Sequence, residues 1–268
     1  MKYIRPNLTG FALIFCTNLL IAQSTGEVNS SYSGDTSYNY STVRQKKYEP
    51  DKKFPYKSFI IPAVLISYGF IDFYFDPVTD INEGIKKEVW TERPHAMQHI
   101  DTYLQFAPAA AVYALNGAGI KGKNNFFDRS MIYLMSNVIM NGTVFSLKQI
   151  THKQRPDGSD YSSFPSGHTA EAFVSAEFLY QEYKDVSVWY GISGYAVAAV
   201  VGGLRIYNNK HWFNDVVAGA GFGIASTKLS YWLYPKIKNK FSKNKPMHSM
   251  ILPGYDGRTV GLSWVHIF

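Results

Sequence analysis

Cysteine is all but missing: one residue in 268, Cys16. It falls inside the first apolar run. The rest of the chain can hold neither a disulfide nor a thiolate metal site, and thiol catalysis is excluded. Acidic residues are the minority charge, 20 against 27 Lys and Arg, which leaves a formal net charge of +7 at pH 7. That balance suits an anionic partner (nucleic acid, phosphate groups or a lipid surface) without choosing among them. Long uninterrupted apolar runs are also lacking. No segment is a clean stretch of about twenty apolar residues, the length a membrane-crossing helix needs, although 46% of residues are hydrophobic and 16% aromatic. There is no internal repeat, and little of the chain reads as strand.

What is present begins with an export signal. Lys2 and Arg5 precede the apolar core "FALIFCTNLLI", and Ala22 offers a small residue for cleavage. Phe15 is too bulky for a lipoprotein processing site at Cys16. Residues 1–22 are expected to be a signal peptide, and the protein to be exported to the periplasm or the envelope membrane. Residues 23–55 are polar and aperiodic and read as a disordered spacer. Apolar segments follow at roughly 59–75, 102–119, 129–147, 169–184, 188–206 and 215–234, most of them helix-length. The amphipathic region 78–100 adds a surface helix or two, and "DPVTDINEG" reads as a turn, its spacing wrong for a calcium loop. The expectation is an all-α fold over 56–235: a bundle of about six core helices with the active site at one end. Residues 236–268 are read as a basic exit run, "KIKNKFSKNK", and a short tail with strand character in "GLSWVHIF".

Asp72, Asn137, Asn141, Glu171, Glu177 and Lys228 interrupt the apolar segments. Ionisable groups are costly at mid-bilayer. The two arrangements left are a soluble or peripheral bundle and a six-helix membrane protein with marginal spans. A membrane-associated bundle with incomplete or absent spanning fits best.

Three clusters at helix boundaries carry the chemistry. "KQITHKQRPDG" supplies Lys148 and Arg155, a point charge and a planar fork that suit phosphate; Lys153 is the alternative lysine. "FPSGH" places Ser166, Gly167 and His168 at a helix start, where unsatisfied N–H groups favour an anion. Ser166 can donate, Gly167 lets backbone approach an oxyanion, and His168 can move a proton. "RIYNNKHWFND" supplies Arg205, His211 and Asp215; the last two are four apart and share a helix face. A carboxylate behind an imidazole fixes its tautomer and frees the other nitrogen for attack on phosphorus. Each cluster alone reads equally well as helix capping or solvated charge. In antiparallel neighbours the segments ending at 147 and 206 and those starting at 169 and 215 share one end of the bundle. The set then forms a phosphoryl-transfer site needing no metal: His211, His168 and Asp215 catalytic, and Lys148, Arg155, Ser166, Gly167 and Arg205 phosphate-binding.

In these motifs the sequence resembles the type-2 phosphatidic-acid phosphatase (PAP2) superfamily, which also includes vanadate-dependent haloperoxidases. The resemblance runs through Lys148–Pro156, Pro165–His168 and Arg205, His211 and Asp215. One departure is Leu204, where the family has serine. The resemblance implies an all-helical phosphatase acting through a phosphohistidine, without cofactor. Its expected partners are a phosphorylated lipid (phosphatidate, phosphatidylglycerol phosphate, undecaprenyl diphosphate or lipid A) and a membrane surface. A soluble broad-range phosphatase acting on small phosphoesters is the alternative. A haloperoxidase, or a non-enzymatic protein binding anionic lipid, ranks below both. Nucleic acid is not expected as a partner, for no such motif is present.

Overall fold

The computed structural model describes residues 53–71, 73, 76–242, 249–255 and 260–266. The proposed signal peptide, Cys16, Asp72 and nearly all of the proposed spacer lie outside these residues. A 3-10 turn, Tyr56–Phe59, leads into α1 (Ile60–Ile71). Helix α2 (Asp76–Lys86) ends in a π-turn, Lys87–Thr91. Then follow α3 (Asp101–Leu104), α4 (Ala107–Gly117), α5 (Phe126–Thr151), α6 (Gly167–Tyr183), α7 (Val188–Tyr207) and α8 (Phe213–Ser242). Strands β1 (Ser249–Tyr255) and β2 (Val260–His266) form an antiparallel hairpin pairing Ser249 with His266. The all-α reading holds for the bundle, whose core helices are α1 and α4–α8.

Two sequence expectations need correction. "DPVTDINEG" is the body of α2, not a turn. The basic run does not leave the bundle at 236: α8 continues through it to Ser242, with Pro235 inside the helix. Lys238 explains part of this, since its Nζ lies 2.7 Å from Asp128 of α5, which also accepts from Tyr234. The strand character expected in "GLSWVHIF" is present as β2, and β1 pairs with it.

Helix α6 is the axis of the bundle and packs on α4, α5, α7 and α8. Phe178, Leu179 and Tyr183 meet Ala109 and Val112 of α4; Ala170 and Val174 meet Met140 and Val144 of α5; Ala172 and Ala176 meet Ala198 and Val201 of α7. Burying a large apolar side chain contributes about 1.5–3 kcal/mol. Against α8 the packing is backbone to backbone. A Cβ on Gly219 would lie 2.6 Å from the Ser166 carbonyl oxygen, and one on Gly223 would strike the Ala170 carbonyl. Only glycine permits this approach.

The buried ionisable groups that interrupt the apolar segments turn inward. Glu177 pairs with Lys228 at 2.8 Å and accepts from Gln181. Glu182 accepts from Asn124 and Tyr231 and faces Arg129. Asn137 and Asn141 donate to carbonyls one turn back on α5. The outward faces are apolar instead. Phe127, Met131, Leu134, Val138 and Phe145 make one exposed stripe on α5, and Trp189, Ile192 and Val200 are exposed on α7. Among the described residues α5 alone is long and apolar enough to cross a membrane.

Candidate active site

The four helix termini that carry the clusters do meet. Helix α5 ends at Thr151, where His152 takes a left-handed conformation, φ 42°, and turns the chain away. Helix α6 starts beside the start of α8: the Ser166 N–H donates to the Asp215 carbonyl at 3.0 Å. Arg205 lies in the last turn of α7 and Asp215 in the first turn of α8.

Ser166 is the N-cap of α6. Its hydroxyl accepts from the Thr169 N–H and bonds the Thr169 hydroxyl at 2.9 Å. Capping therefore engages the side chain expected to donate to phosphate. The first N–H groups of the helix have no intrahelical acceptor, so Gly167 and His168 carry the backbone donors at this end. A Cβ on Gly167 would meet nothing nearer than Val144 Cγ1 at 3.9 Å, so the space beside it is open.

The cations are fixed by the protein. Lys148 Nζ donates to the Ser162 and Ser163 carbonyls. Arg155 Nε donates to Asp160 Oδ1 at 2.9 Å and its Nη2 to Ser162 Oγ at 3.3 Å. Arg205 Nη1 pairs with Asp101 Oδ2 at 2.5 Å, both residues being buried. Arg205 Nε is buried with no partner. An unmet guanidinium donor in a buried cationic site is the place where an anion would be taken up.

His211 is buried, with Nδ1 3.7 Å from Asp215 Oδ2. That is ion-pair distance but too long for a hydrogen bond, and Nδ1 has no other partner. The Asp215 carboxylate accepts from Ser163 Oγ at 2.5 Å, from the Trp212 N–H at 3.0 Å and from Lys153 Nζ at 3.2 Å. Burial works against its charge, but His211, Lys153 and Ser163 hold its pKa below the ordinary carboxylate value. Burial pushes His211 down to about 4, with Asp215 opposing the shift and Lys148 and Arg155 adding to it. His168 also falls to about 4, through burial first and then through Arg205, Arg155 and Lys148, while Asp101 opposes. His168 thus feels cations from both flanking clusters and His211 feels those of the first, while Lys148 itself feels Arg155, Asp215 and Arg205.

All eight candidate residues therefore converge on one end of the bundle. Lys153 diverges from Lys148: it reaches the far oxygen of Asp215 rather than joining the other cations. Sequence reasoning missed Asp101 and Ser163. Asp101 had one available signal, a single acid opening an apolar segment; Ser163 had none. Among the described residues, no group of three or more His, Cys, Asp or Glu is placed to hold a metal ion.

Comparison with known proteins points the same way. Residues 129–239, which contain all eight candidates, match the model of the PAP2 superfamily. The match to the PAP2 superfamily is confined to this segment of the chain. It is 35% identical over 155 residues to the lipid A 1-phosphatase of Porphyromonas gingivalis, a match covering 58% of this chain and 35% of that protein. The chain thus spans about a third of the length of the curated relative it matches. Two solved structures are similar. One is Aquifex aeolicus LpxE, with a TM-score of 0.44 and 22% identity, covering 56% of this chain and 94% of that one. The other is a transmembrane PAP2-type phosphatidylglycerolphosphate phosphatase from Bacillus subtilis, with a TM-score of 0.43 and 21% identity, covering 69% and 99%.

Proposed function

We propose that the protein is a phosphatase that removes phosphate from lipid phosphates of the cell envelope by way of a phosphohistidine, with no metal needed. The observation that carries this reading is the convergence of Lys148, Arg155, Arg205 and the start of α6 on two imidazoles, buried His211 and half-buried His168, with the Arg205 Nε unpartnered among them.

In the first step the Nε2 of His211 attacks phosphorus. The N–P bond forms, the P–O bond to the leaving group breaks, and His168 gives its proton to the departing oxygen. In the second, water attacks phosphorus, the N–P bond breaks, and His168 accepts the water's proton. Lys148, Arg155, Arg205 and the Gly167 and His168 N–H groups hold the equatorial oxygens throughout. With a pKa of about 4, His168 is neutral at pH 7 before substrate binds. A bound phosphate dianion offsets the cations that depress it, so substrate brings the acid into its working form.

A lipid substrate is favoured by the exposed apolar stripes of α5 and α7, which suit association with a membrane. Lipid A 1-phosphate is the first substrate to try, because the matched relative bears that activity in its name. The test is phosphate release from detergent-dispersed lipid A, phosphatidylglycerol phosphate and a small phosphomonoester, with and without EDTA. The parent should act on a lipid in the presence of EDTA, and His211→Ala should be inactive. Loss of activity with EDTA would overturn the metal-free mechanism. A preference for the small ester without detergent would overturn the lipid assignment.

A further inference from the structure

We infer that Lys153 and Ser163 are positioning residues for His211, acting through Asp215. The inference rests on the phosphatase reading above and goes beyond it by assigning two residues outside the eight candidates.

Asp215 is fully buried, and its two oxygens are held from different sides. Oδ2 accepts from Ser163 Oγ at 2.5 Å and from the Trp212 N–H at 3.0 Å, and faces His211 Nδ1 at 3.7 Å. Oδ1 accepts from Lys153 Nζ at 3.2 Å. Lys153 is itself fixed: Nζ donates to Asn214 Oδ1 at 2.9 Å and lies 5.4 Å from the centre of the Phe73 ring. Asn214 is tied to Asn82 of α2 at 3.0 Å and to the Gly69 carbonyl of α1 at 3.0 Å. The chain therefore uses the segment after α5, together with α1 and α2, to set the carboxylate behind the imidazole.

The physical need is clear. A buried carboxylate facing one imidazole is poorly solvated, and taking a proton relieves it. A protonated Asp215 no longer directs the hydrogen of His211 to Nδ1, and Nε2 loses its lone pair for attack. Lys153 keeps the carboxylate ionised, and Ser163 and the Trp212 N–H stop it from rotating. The other charged groups facing the pair are Lys148 of α5 and Arg155 of the following turn. The groups that α1 and α2 present to Asn214 are neutral. Lys148 and Arg155 stay in place in any Lys153 variant, so a change in titration reports Lys153 alone.

The sign does not depend on which member of the pair takes the proton. Removing a cation makes proton uptake by the His211–Asp215 pair easier, so the acid limb of kcat/KM moves to higher pH. Opposite charges this close move a carboxylate by about one to three pH units. The experiment compares kcat/KM against pH for the full-length parent, Lys153→Gln, Lys153→Arg and Ser163→Ala. A small phosphomonoester serves as substrate; its own titration is common to all four proteins and cancels in the differences. Folding is checked by near-UV circular dichroism.

Lys153→Gln should raise the acid limb by about one unit or more, Lys153→Arg should restore it, and Ser163→Ala should shift it in the same direction by less. An unmoved limb in folded Lys153→Gln, with activity lowered equally at every pH, would mark a merely structural lysine and overturn the inference. Should Lys153→Gln fail to fold, an unmoved limb in Ser163→Ala overturns it instead. A parent without phosphatase activity, or a His211→Ala variant as active as the parent, defeats the proposed function itself, and the inference falls with it.

Discussion

Gly219→Ala tests whether the packing of α8 on α6 sets the catalytic geometry. The added Cβ would sit 2.6 Å from the Ser166 carbonyl oxygen, 3.3 Å from Thr169 Cβ and 3.4 Å from the Ala170 nitrogen. Comfortable carbon–oxygen contacts begin near 3.3 Å, so a gap of about 0.7 Å must open. Its nearest neighbour is a backbone atom, so the start of α6 must move as a unit. That start carries Ser166, Gly167 and His168, while α8 carries Asp215, and the Ser166 N–H bond to the Asp215 carbonyl joins them. A misplacement of about 1 Å costs on the order of 100-fold in rate. The expected loss in kcat/KM is therefore roughly 10- to 100-fold, with a stability cost of about 1–3 kcal/mol from overpacking. Gly142→Ala on the exposed face of α5 is the control, because its Cβ would meet nothing within 4 Å. That variant should keep full activity and gain up to about 1 kcal/mol from helix propensity. Phosphate release and thermal unfolding in the same detergent measure both effects. If Gly219→Ala is as active as the parent, the two helix starts are not held together by this packing and the reasoning is wrong.

Asp101→Asn should destabilise the fold by about 3–5 kcal/mol, because it leaves the buried Arg205 guanidinium unpaired; thermal unfolding measures it, and an unchanged midpoint refutes it. Sulfate does not titrate between pH 5 and 8 by ordinary inorganic chemistry, so it can probe proton uptake. Calorimetry near pH 6 in two buffers of different ionisation enthalpy should show protons taken up on sulfate binding, and His168→Asn should abolish most of that uptake. Stability should fall as pH drops from 6.5 towards 4. Over that window the unfolded chain binds protons at His168 and His211 that the folded chain does not, so stability rises with pH and is lost on acidification. A flat unfolding midpoint over that range would refute the lowered pKa of these two imidazoles.

The helix starts and ends of the site were readable because their signals are local. Ser166 caps, Arg205 and Asp215 flank a turn, and apolar runs mark what lies between. That the four termini share one end followed from antiparallel order alone. Other features depend on partners distant in the chain. Whether Lys148 or Lys153 reaches Asp215 turns on where α5 stops, and the left-handed His152 redirects the chain between them. Helix α8 outruns its apolar pattern because Lys238 and Tyr234 find Asp128 across the bundle. The same holds for α2, whose "DPVTDINEG" is rich in turn-forming residues. Asn82, paired with Asn214, ties its helix to the start of α8. Glu177 and Lys228 looked like obstacles to an apolar bundle, and only their pairing shows that they face inward.

Leu204 and Asp101 bear on the same question: what orients Arg205 where the family's serine is lacking. A leucine beside the arginine offers no hydrogen bond. The guanidinium is held instead by a carboxylate from 104 positions earlier in the chain. The segment that delivers Asp101 is fastened to the end of α7 independently. The Gln98 N–H donates to Asn208 Oδ1 at 2.8 Å, Asn208 Nδ2 returns a bond to the Gln98 carbonyl, and His95 stacks on Tyr207. These contacts place Asp101 without drawing on the ion pair. Arg205 is therefore met by a carboxylate already in position, and the ordering cost falls mostly on the segment rather than on the site. Because Asp101 takes Nη1 and leaves Nε without a partner, the pair offsets part of the buried arginine's charge yet keeps one donor unused. A hydroxyl at 204 could not replace this, since it cannot supply the opposing charge that burial of the guanidinium requires.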